Sequence, residues 1–204
     1  MKKFELTTEF ITNMFGKKLF RIKALVEFGN VKAGELGGYV EKEENVSQDG
    51  NAWVSGDARV YGDAEVSGDA RVSGNAEVSG NARVSGNARV YGNAWVSGNA
   101  EVYGDAWVSG NAWVYGNARV SGNARVSSDA DYALVQGFGT EFRCTTFYRG
   151  KNKKIMVNCG CFHGDLEGFR KQVKETRNGK IAKEYLMIAD LMEYHFTSED
   201  SSNE

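Results

Sequence analysis

Residues 50–130 read GNAWVS GDARVY GDAEVS GDARVS GNAEVS GNARVS GNARVY GNAWVS GNAEVY GDAWVS GNAWVY GNARVS GNARVS SDA. The period is six: valine recurs at every sixth position from 54 to 126, and alanine does so from 52 to 130. Within each unit Ala-x-Val alternates, which is typical of a short strand with Ala and Val facing inward. The Gly-Asn or Gly-Asp of each unit tolerates positive φ and predicts a corner. Short strands and corners repeated in this way predict a parallel β-helix.

The valine and alanine spacing resembles the hexapeptide repeat of left-handed parallel β-helices, where three hexapeptides make one triangular coil. The resemblance implies both the handedness and the three walls. On such a coil the outward side chains form three columns. The first column holds Trp53, Arg71, Arg89, Trp107 and Arg125, the second Arg59, Glu77, Trp95, Trp113 and Asp131, and the third Glu65, Arg83, Glu101 and Arg119. The third column alternates acid and base, so we predict opposite charges on neighbouring rungs about 4.8 Å apart.

The segments on either side of the repeat are expected to cover its ends, because terminal coils of a solenoid need caps. We therefore expect a mainly β protein with an N-terminal cap over residues 1–45, the β-helix over residues 46–132 and a small α/β domain over residues 133–204. In the cap, residues 19–26 alternate as a strand does. We interpret Gly37-Gly38-Tyr39 as a tight turn that seals the solenoid, with a ligand loop as the alternative.

Three stretches support a further resemblance: LFRIKAL at residues 19–25, FGNVKAGELGGYVE at residues 28–41 and NVSQDG at residues 45–50. Together with the repeat they resemble a family of hexapeptide-repeat proteins common in bacteriophages, prophages and enterobacteria. Members are often labelled as transferases or polymer-forming proteins because of the repeat alone. The resemblance implies the fold and a phage-linked setting, and it implies no particular reaction.

After the repeat we predict an irregular exit, a hairpin and two helices. The exit is residues 133–140, and the hairpin strands are residues 142–148 and 155–162. Asp165 is placed to cap a helix that carries Leu166, Phe169 and Val173 on one face. Asn178-Gly179 ends this helix, and a second helix begins at about residue 181. The acidic residues 198–204 are expected to be disordered.

Composition and charge limit the partners and the cellular compartment that we expect for the protein. The chain has 204 residues and a net charge of −2, which does not favour a general attraction to nucleic acid. It contains neither an apolar run of membrane-spanning length nor a signal-peptide pattern at its start. Three cysteines do not suggest a disulfide framework. We expect a soluble, cytoplasmic protein without a membrane partner.

Enzymes with similar repeats are alternatives. Hexapeptide acyltransferases typically use a histidine base near the coils, often beside an extruded loop. The two histidines here are His163 and His195, and no loop interrupts the repeat after Val54. Carbonic anhydrases of related fold need three histidines for zinc. We therefore predict no catalytic residues and no cofactor.

One metal-ligand set is conceivable: Cys144, Cys159, Cys161 and His163. If the hairpin turn centres on Lys151 and Asn152, Cys144 lies opposite Cys159. On a straight strand, however, positions 159, 161 and 163 are about 6–7 Å apart stepwise, too spread for one zinc ion without a bend at Gly160. Free cysteines acting as small apolar side chains are the preferred interpretation.

The outward aromatic and basic side chains are the best candidates for function. They are Trp95, Trp113, Tyr115 and Tyr132 on or near the second wall, and Trp53, Arg71, Arg89, Tyr91, Trp107 and Arg125 on or near the first. Outward tryptophans usually mark a covered surface, and Trp, Tyr and Arg dominate binding hot spots. We expect this surface to be covered by the C-terminal domain, by a second copy of the chain or by a partner protein. Arg–Trp stacks also suit a small nucleotide or single-stranded nucleic acid, although the weak net charge disfavours nucleic acid.

These observations predict a non-catalytic binding or scaffold protein. We expect it to form a homo-oligomer and to present a rigid Trp/Tyr/Arg surface to another protein. The resemblance adds a phage association and, with it, inhibition of a host defence component. Two alternatives stay open: an acyltransferase or nucleotide-binding protein with its site between subunits, and a structural component of the virion.

Overall fold

A computed structural model describes residues 2–197. Three longer strands open the chain: β1 Phe4–Thr12, β2 Lys18–Ala24 and β3 Leu36–Val40. Thirteen two-residue strands follow: β4 Trp53–Val54, β5 Arg59–Val60, β6 Glu65–Val66, β7 Arg71–Val72, β8 Glu77–Val78, β9 Arg83–Val84, β10 Arg89–Val90, β11 Trp95–Val96, β12 Glu101–Val102, β13 Trp107–Val108, β14 Trp113–Val114, β15 Arg119–Val120 and β16 Arg125–Val126. The C-terminal elements are β17 Tyr132–Phe138, β18 Arg143–Arg149, β19 Ile155–Cys159, β20 Phe162–Asp165, α1 Leu166–Thr176 and α2 Gly179–Thr197.

The short strands form three parallel walls of a solenoid. The walls are β3-β5-β8-β11-β14, β4-β7-β10-β13-β16 and β6-β9-β12-β15, with Val46 bridging to Val66 as the first rung of the last wall. Each wall therefore has five rungs, and the solenoid has five coils. From β4 onward, strands paired in register are eighteen residues apart, as for Trp95 and Trp113. The predicted mainly β solenoid with three-walled coils is confirmed.

The interior of the solenoid consists of the repeating alanines and valines. From Ala52 to Val126 these side chains are almost completely buried. Backbone hydrogen bonds join each rung to the next, such as Arg71 N–H to Ala88 O at 2.9 Å and Ser73 N–H to Val90 O at 2.9 Å. Because side chains this small fill the core, neighbouring walls approach closely and the backbone ladder runs without interruption along the axis.

The corners use glycine and asparagine for different purposes. Gly80 is representative of the corner glycines, with φ of +68° and its Cα facing the backbone of Gly98 on the next rung. The following asparagines bond to one another across the coils: Asn75 Nδ2 donates to Asn93 Oδ1, and Asn93 Nδ2 donates to Asn111 Oδ1, each at 3.1 Å. The repeat predicts asparagine only as a turn residue, so this ladder could not be expected from it.

The N-terminal segment covers the first coil. β1 and β2 form an antiparallel hairpin, and β2 pairs with β3, so the cap extends one wall of the solenoid. The tight turn predicted at Gly37-Gly38-Tyr39 is wrong, because these residues lie in β3. Positions 37 and 38 are glycines because a Cβ at position 37 would meet Val54 O at 2.6 Å and one at position 38 would meet Ala58 O at 2.6 Å. The strand β1 was not predicted.

Lys3 closes part of the same end of the solenoid. Its Nζ donates to Ala52 O at 3.0 Å and to Gly50 O at 3.3 Å. The ammonium also lies 4.9 Å from the ring centroid of Phe28. Burial lowers the pKa of Lys3 to about 8, because desolvation disfavours the charged form.

The C-terminal segment folds into an antiparallel sheet, in the order β17-β18-β19-β20, backed by two helices. A second core lies between them, and it includes Phe147, Val157, Phe169, Ile188 and Met192. The irregular exit predicted for residues 133–140 is wrong: most of it is β17. The single strand predicted over residues 155–162 is also wrong, because the chain turns at Gly160, which has φ of +60°, and separates β19 from β20.

Other predictions for this segment hold. Asp165 caps α1, and its Oδ1 accepts from Gly168 N–H at 2.9 Å. A second helix follows Asn178, beginning at Gly179 rather than near residue 181. Among residues 2–197, no helix has both the length and the apolar character needed to cross a membrane. The prediction for residues 198–204 lies outside the described part of the chain.

Side chains that follow β16 in the chain close the last rungs. Arg119 N–H donates to Thr146 Oγ1 at 3.0 Å, and Asn158 Nδ2 donates to Arg119 O at 2.8 Å. On another wall, Trp113 N–H donates to Asp129 Oδ1 at 2.7 Å. Donors and acceptors at the open edge of the solenoid are thus satisfied by single side chains as well as by strands.

Candidate binding surfaces on the solenoid

The second wall carries the predicted pair of tryptophans. Trp95 and Trp113 lie in register on β11 and β14, and their rings stack with centroids 4.9 Å apart and planes 7° from parallel. Trp95 is partly buried, whereas 49% of Trp113 is exposed. The stack follows directly from the coil, because residues eighteen apart are neighbours on adjacent rungs.

Two tyrosines extend this surface toward the C-terminal sheet. The rings of Tyr115 and Tyr132 meet edge to face with centroids 6.4 Å apart. Tyr115 is 59% exposed, while Tyr132 is buried beneath it. Burial raises the pKa of Tyr132, so its hydroxyl stays neutral. We call Trp95, Trp113, Tyr115 and Tyr132 the aromatic patch.

Asp131 does not continue the second column as predicted. It lies in the 3-10 turn Asp129–Asp131, where its carboxylate accepts from the backbone N–H groups of Ser127 and Ser128 and pairs with Arg149 at 3.1 Å. The coil has already ended at this point, so the eighteen-residue rule no longer positions the side chain. Trp113 is therefore the last large side chain of its column.

The first wall contains a tryptophan between two arginines. The guanidinium carbons of Arg89 and Arg125 lie 5.3 and 4.2 Å from the ring centroid of Trp107. Tyr91 meets the same ring edge to face at 6.2 Å. Arg125 Nη1 also donates to Asp105 O at 3.0 Å. Both faces of the indole are thus covered by cations, so the predicted cluster forms, but the ring has no free face for a base or another ring.

Trp53 was predicted in this outward set, and the prediction of an available surface is wrong for it. Only 1% of Trp53 is exposed. Phe4 and Phe28 of the N-terminal segment cover it edge to face, with centroids 6.2 and 5.4 Å away. Arg71, on the next rung, is partly covered by the same segment and lies against Gly29. This end of the first wall is therefore part of the protein's own core.

The third wall carries the predicted alternation of charge. Glu65 pairs in register with Arg83, and Glu101 lies between Arg83 and Arg119. Glu101 and Arg119 form an ion pair at 3.2 Å. The column therefore neutralises itself, which makes it a poor surface for a charged partner.

The cysteines and His163 do not converge. The strand opposite Cys159 presents Thr145 rather than Cys144, and Thr145 Oγ1 donates to Cys159 Sγ at 3.1 Å. Cys144 is one position away on the alternating strand, and burial raises the pKa of its thiol. His163 instead places Nδ1 2.6 Å from Asn158 Oδ1. Within residues 2–197, no group of three or more His, Cys, Asp or Glu side chains is arranged to hold a metal ion.

Comparison with known proteins agrees with this fold. The family model for the YdcK beta solenoid repeat matches residues 82–98 and 118–130, both within the coils. No curated protein matches the chain. The repeat match and the observed coils together support a β-solenoid repeat protein.

Proposed function

We propose that this protein is a non-catalytic binding or scaffold protein, and that the aromatic patch is its docking surface for another protein. The observation that carries the proposal is the indole stack of partly buried Trp95 and exposed Trp113, extended by the exposed ring of Tyr115. Large aromatic side chains that are exposed to water have apolar surface that a partner can bury. The same residue types dominate the energies of protein interfaces.

Rigidity supports this assignment. Trp95 and Trp113 project from adjacent rungs whose backbones are hydrogen bonded, for example Trp95 N–H to Ala112 O at 2.9 Å. The stacking holds each ring in one orientation before a partner arrives. A preformed surface loses little conformational freedom on binding, so more of the burial energy remains as affinity.

The partner is proposed to be a protein, either a second copy of this chain or a different one. The half-exposed Trp113 offers roughly 100 Å² of side-chain surface, which is worth about 2–3 kcal/mol if a partner buries it. The sequence resemblance supports a phage-linked role in the host cytoplasm, such as blocking a defence component.

The test is the double substitution Trp95→Ala/Trp113→Ala in the full chain. We expect it to weaken self-association, measured by light scattering, or capture of a bacterial partner, measured by pull-down, by at least about thirtyfold, as for a hot spot of 2 kcal/mol. The far-UV circular dichroism spectrum should be retained, because both rings project outward from an intact core.

The matched control is Tyr103→Ala, which removes an exposed aromatic ring from the third wall. It should leave association unchanged. If the double variant associates as well as the wild type, or the control loses association equally, the aromatic patch is not the docking surface.

A further inference from the structure

The C-terminal domain contains a cleft that is separate from the solenoid walls. It lies where the β17–β18 loop, the β19–β20 turn and the two helices meet, and its volume is about 90 Å³. A site that holds one water needs about 10–15 Å³ by the same measure, so this cleft has room for a small organic molecule. Ligand sites are typically concave, with apolar walls and a few convergent polar groups.

The lining of the cleft has an apolar side and a polar side. Phe162, Phe169 and Val173 supply an apolar side, and the rings of Phe162 and Phe169 pack together with centroids 5.6 Å apart. Arg143 and Arg177 supply the polar side. The two arginines come from opposite borders of the cleft: Arg143 begins β18, and Arg177 follows α1.

Both cations line the same cleft as Tyr185. Both act on the hydroxyl of Tyr185, which also lines the cleft, and their positive charge opposes the increase in its pKa that burial causes. Among the ion pairs of residues 2–197, none involves Arg143 or Arg177. The two guanidinium groups thus line one cleft without an ion-pair partner, and an anion bound there would be attracted by both.

The backbone around the cleft is shaped to admit these side chains. Gly160 has φ of +60°, and a Cβ there would lie 2.7 Å from Arg143 Nη1. Gly139 has φ of +74°, and a Cβ there would collide with the hydroxyl of Tyr185. Phe142, directly before Arg143, has φ of +48°, a conformation that is strained for a bulky residue. Strain of this kind is often retained at ligand sites.

We propose that this cleft binds a small organic monocarboxylate with an apolar tail. The guanidinium groups of Arg143 and Arg177 hold the carboxylate, because their planar forks match its two oxygens. The tail lies against Phe162 and Phe169. Glu141 also lines the cleft, so the net charge of the site is one positive unit rather than two, and this restricts the ligand to a single negative charge. The proposal stands independently of the aromatic patch.

The experiment titrates the full chain with benzoate, benzamide and acetate, and measures dissociation constants by ligand-observed NMR. Benzoate combines the charge with the ring, benzamide keeps the ring without the charge, and acetate keeps the charge without the ring. We expect benzoate to bind at least about tenfold more tightly than benzamide, since one charge-assisted contact is worth that factor. It should also bind at least about tenfold more tightly than acetate, because acetate has no ring to bury against the apolar side.

Arg143→Gln and Arg177→Gln should each weaken benzoate binding about tenfold or more and leave benzamide binding unchanged. Arg177 follows α1, so its variant keeps the test valid if Arg143→Gln fails to fold. Lys151→Gln, which removes an exposed cation from the β18–β19 turn, is the matched control and should bind benzoate as the wild type does. The proposal is overturned if benzoate does not bind, if benzamide binds equally well, or if both arginine variants bind benzoate normally.

Discussion

Glycine at the corners of the coil has two possible causes, the positive φ and the crowding by the next rung. Replacing corner glycines by alanine separates them. Gly80 and Gly116 have the same φ of +68°. An added Cβ at Gly80 would lie 3.0 Å from the N and O of Gly98 on the next rung, whereas nothing lies within 4 Å of one at Gly116. Gly116 belongs to the last coil, so no further rung covers it. The pair therefore differs in crowding and not in backbone conformation.

The expected losses follow from these distances. Alanine in the left-handed region destabilises the folded state by about 1–2 kcal/mol. Alanine also lowers the entropy of the unfolded chain, which offsets about 0.4–1 kcal/mol of that loss. Gly116→Ala should therefore lower the free energy of unfolding by about 1 kcal/mol. Gly80→Ala adds an overpacked contact with a rigid backbone, worth about 1–3 kcal/mol more. We expect the second variant to lose about 2–4 kcal/mol.

Urea denaturation followed by circular dichroism measures both losses. Because coils of a solenoid can open separately, hydrogen exchange at Asn81 provides a local measurement. Its N–H donates to Gly98 O at 2.7 Å, beside the substituted corner. Gly80→Ala should accelerate exchange at Asn81, and Gly116→Ala should not. Equal losses of stability in the two variants would refute the reasoning, since the cost would then come from φ alone.

Three further predictions concern the ends and corners of the solenoid. Trp53→Ala should lower the free energy of unfolding by about 3–5 kcal/mol in urea denaturation, because it leaves a cavity beneath Phe4 and Phe28. The contribution of Lys3 to stability should rise between pH 8 and 10.5, where the unfolded chain binds a proton that folded Lys3 has released, so the free energy of unfolding of the wild type should increase relative to that of Lys3→Met in denaturation curves across that range. Asn93→Ala should cost about 1 kcal/mol in thermal unfolding, because it removes one rung of the asparagine ladder.

The coil itself could be predicted from the sequence because its contacts repeat with the sequence. Once three hexapeptides form a coil, every residue has a neighbour eighteen positions away. The pairings of Glu65 with Arg83 and of Trp95 with Trp113 then need no knowledge of the rest of the chain. Buried alanine and valine follow from the same period.

The covers could not be predicted in this way, since they depend on contacts without a period. Residues 50–55 and 92–97 have the identical sequence GNAWVS, yet Trp53 is buried and Trp95 remains partly exposed. The difference comes from Phe4 and Phe28, which are distant in sequence. A local pattern can place a side chain on a wall, but it cannot show whether another segment lies on top.

The way the coil ends explains why the aromatic patch remains accessible. The C-terminal sheet closes the third wall through Thr146 and Asn158, which bond to the backbone of Arg119. On the second wall, Asp129 satisfies only the backbone N–H of Trp113. The unpaired edge is thus closed without covering the indole. An edge that would otherwise invite aggregation is removed, while the ring of the proposed docking surface stays exposed.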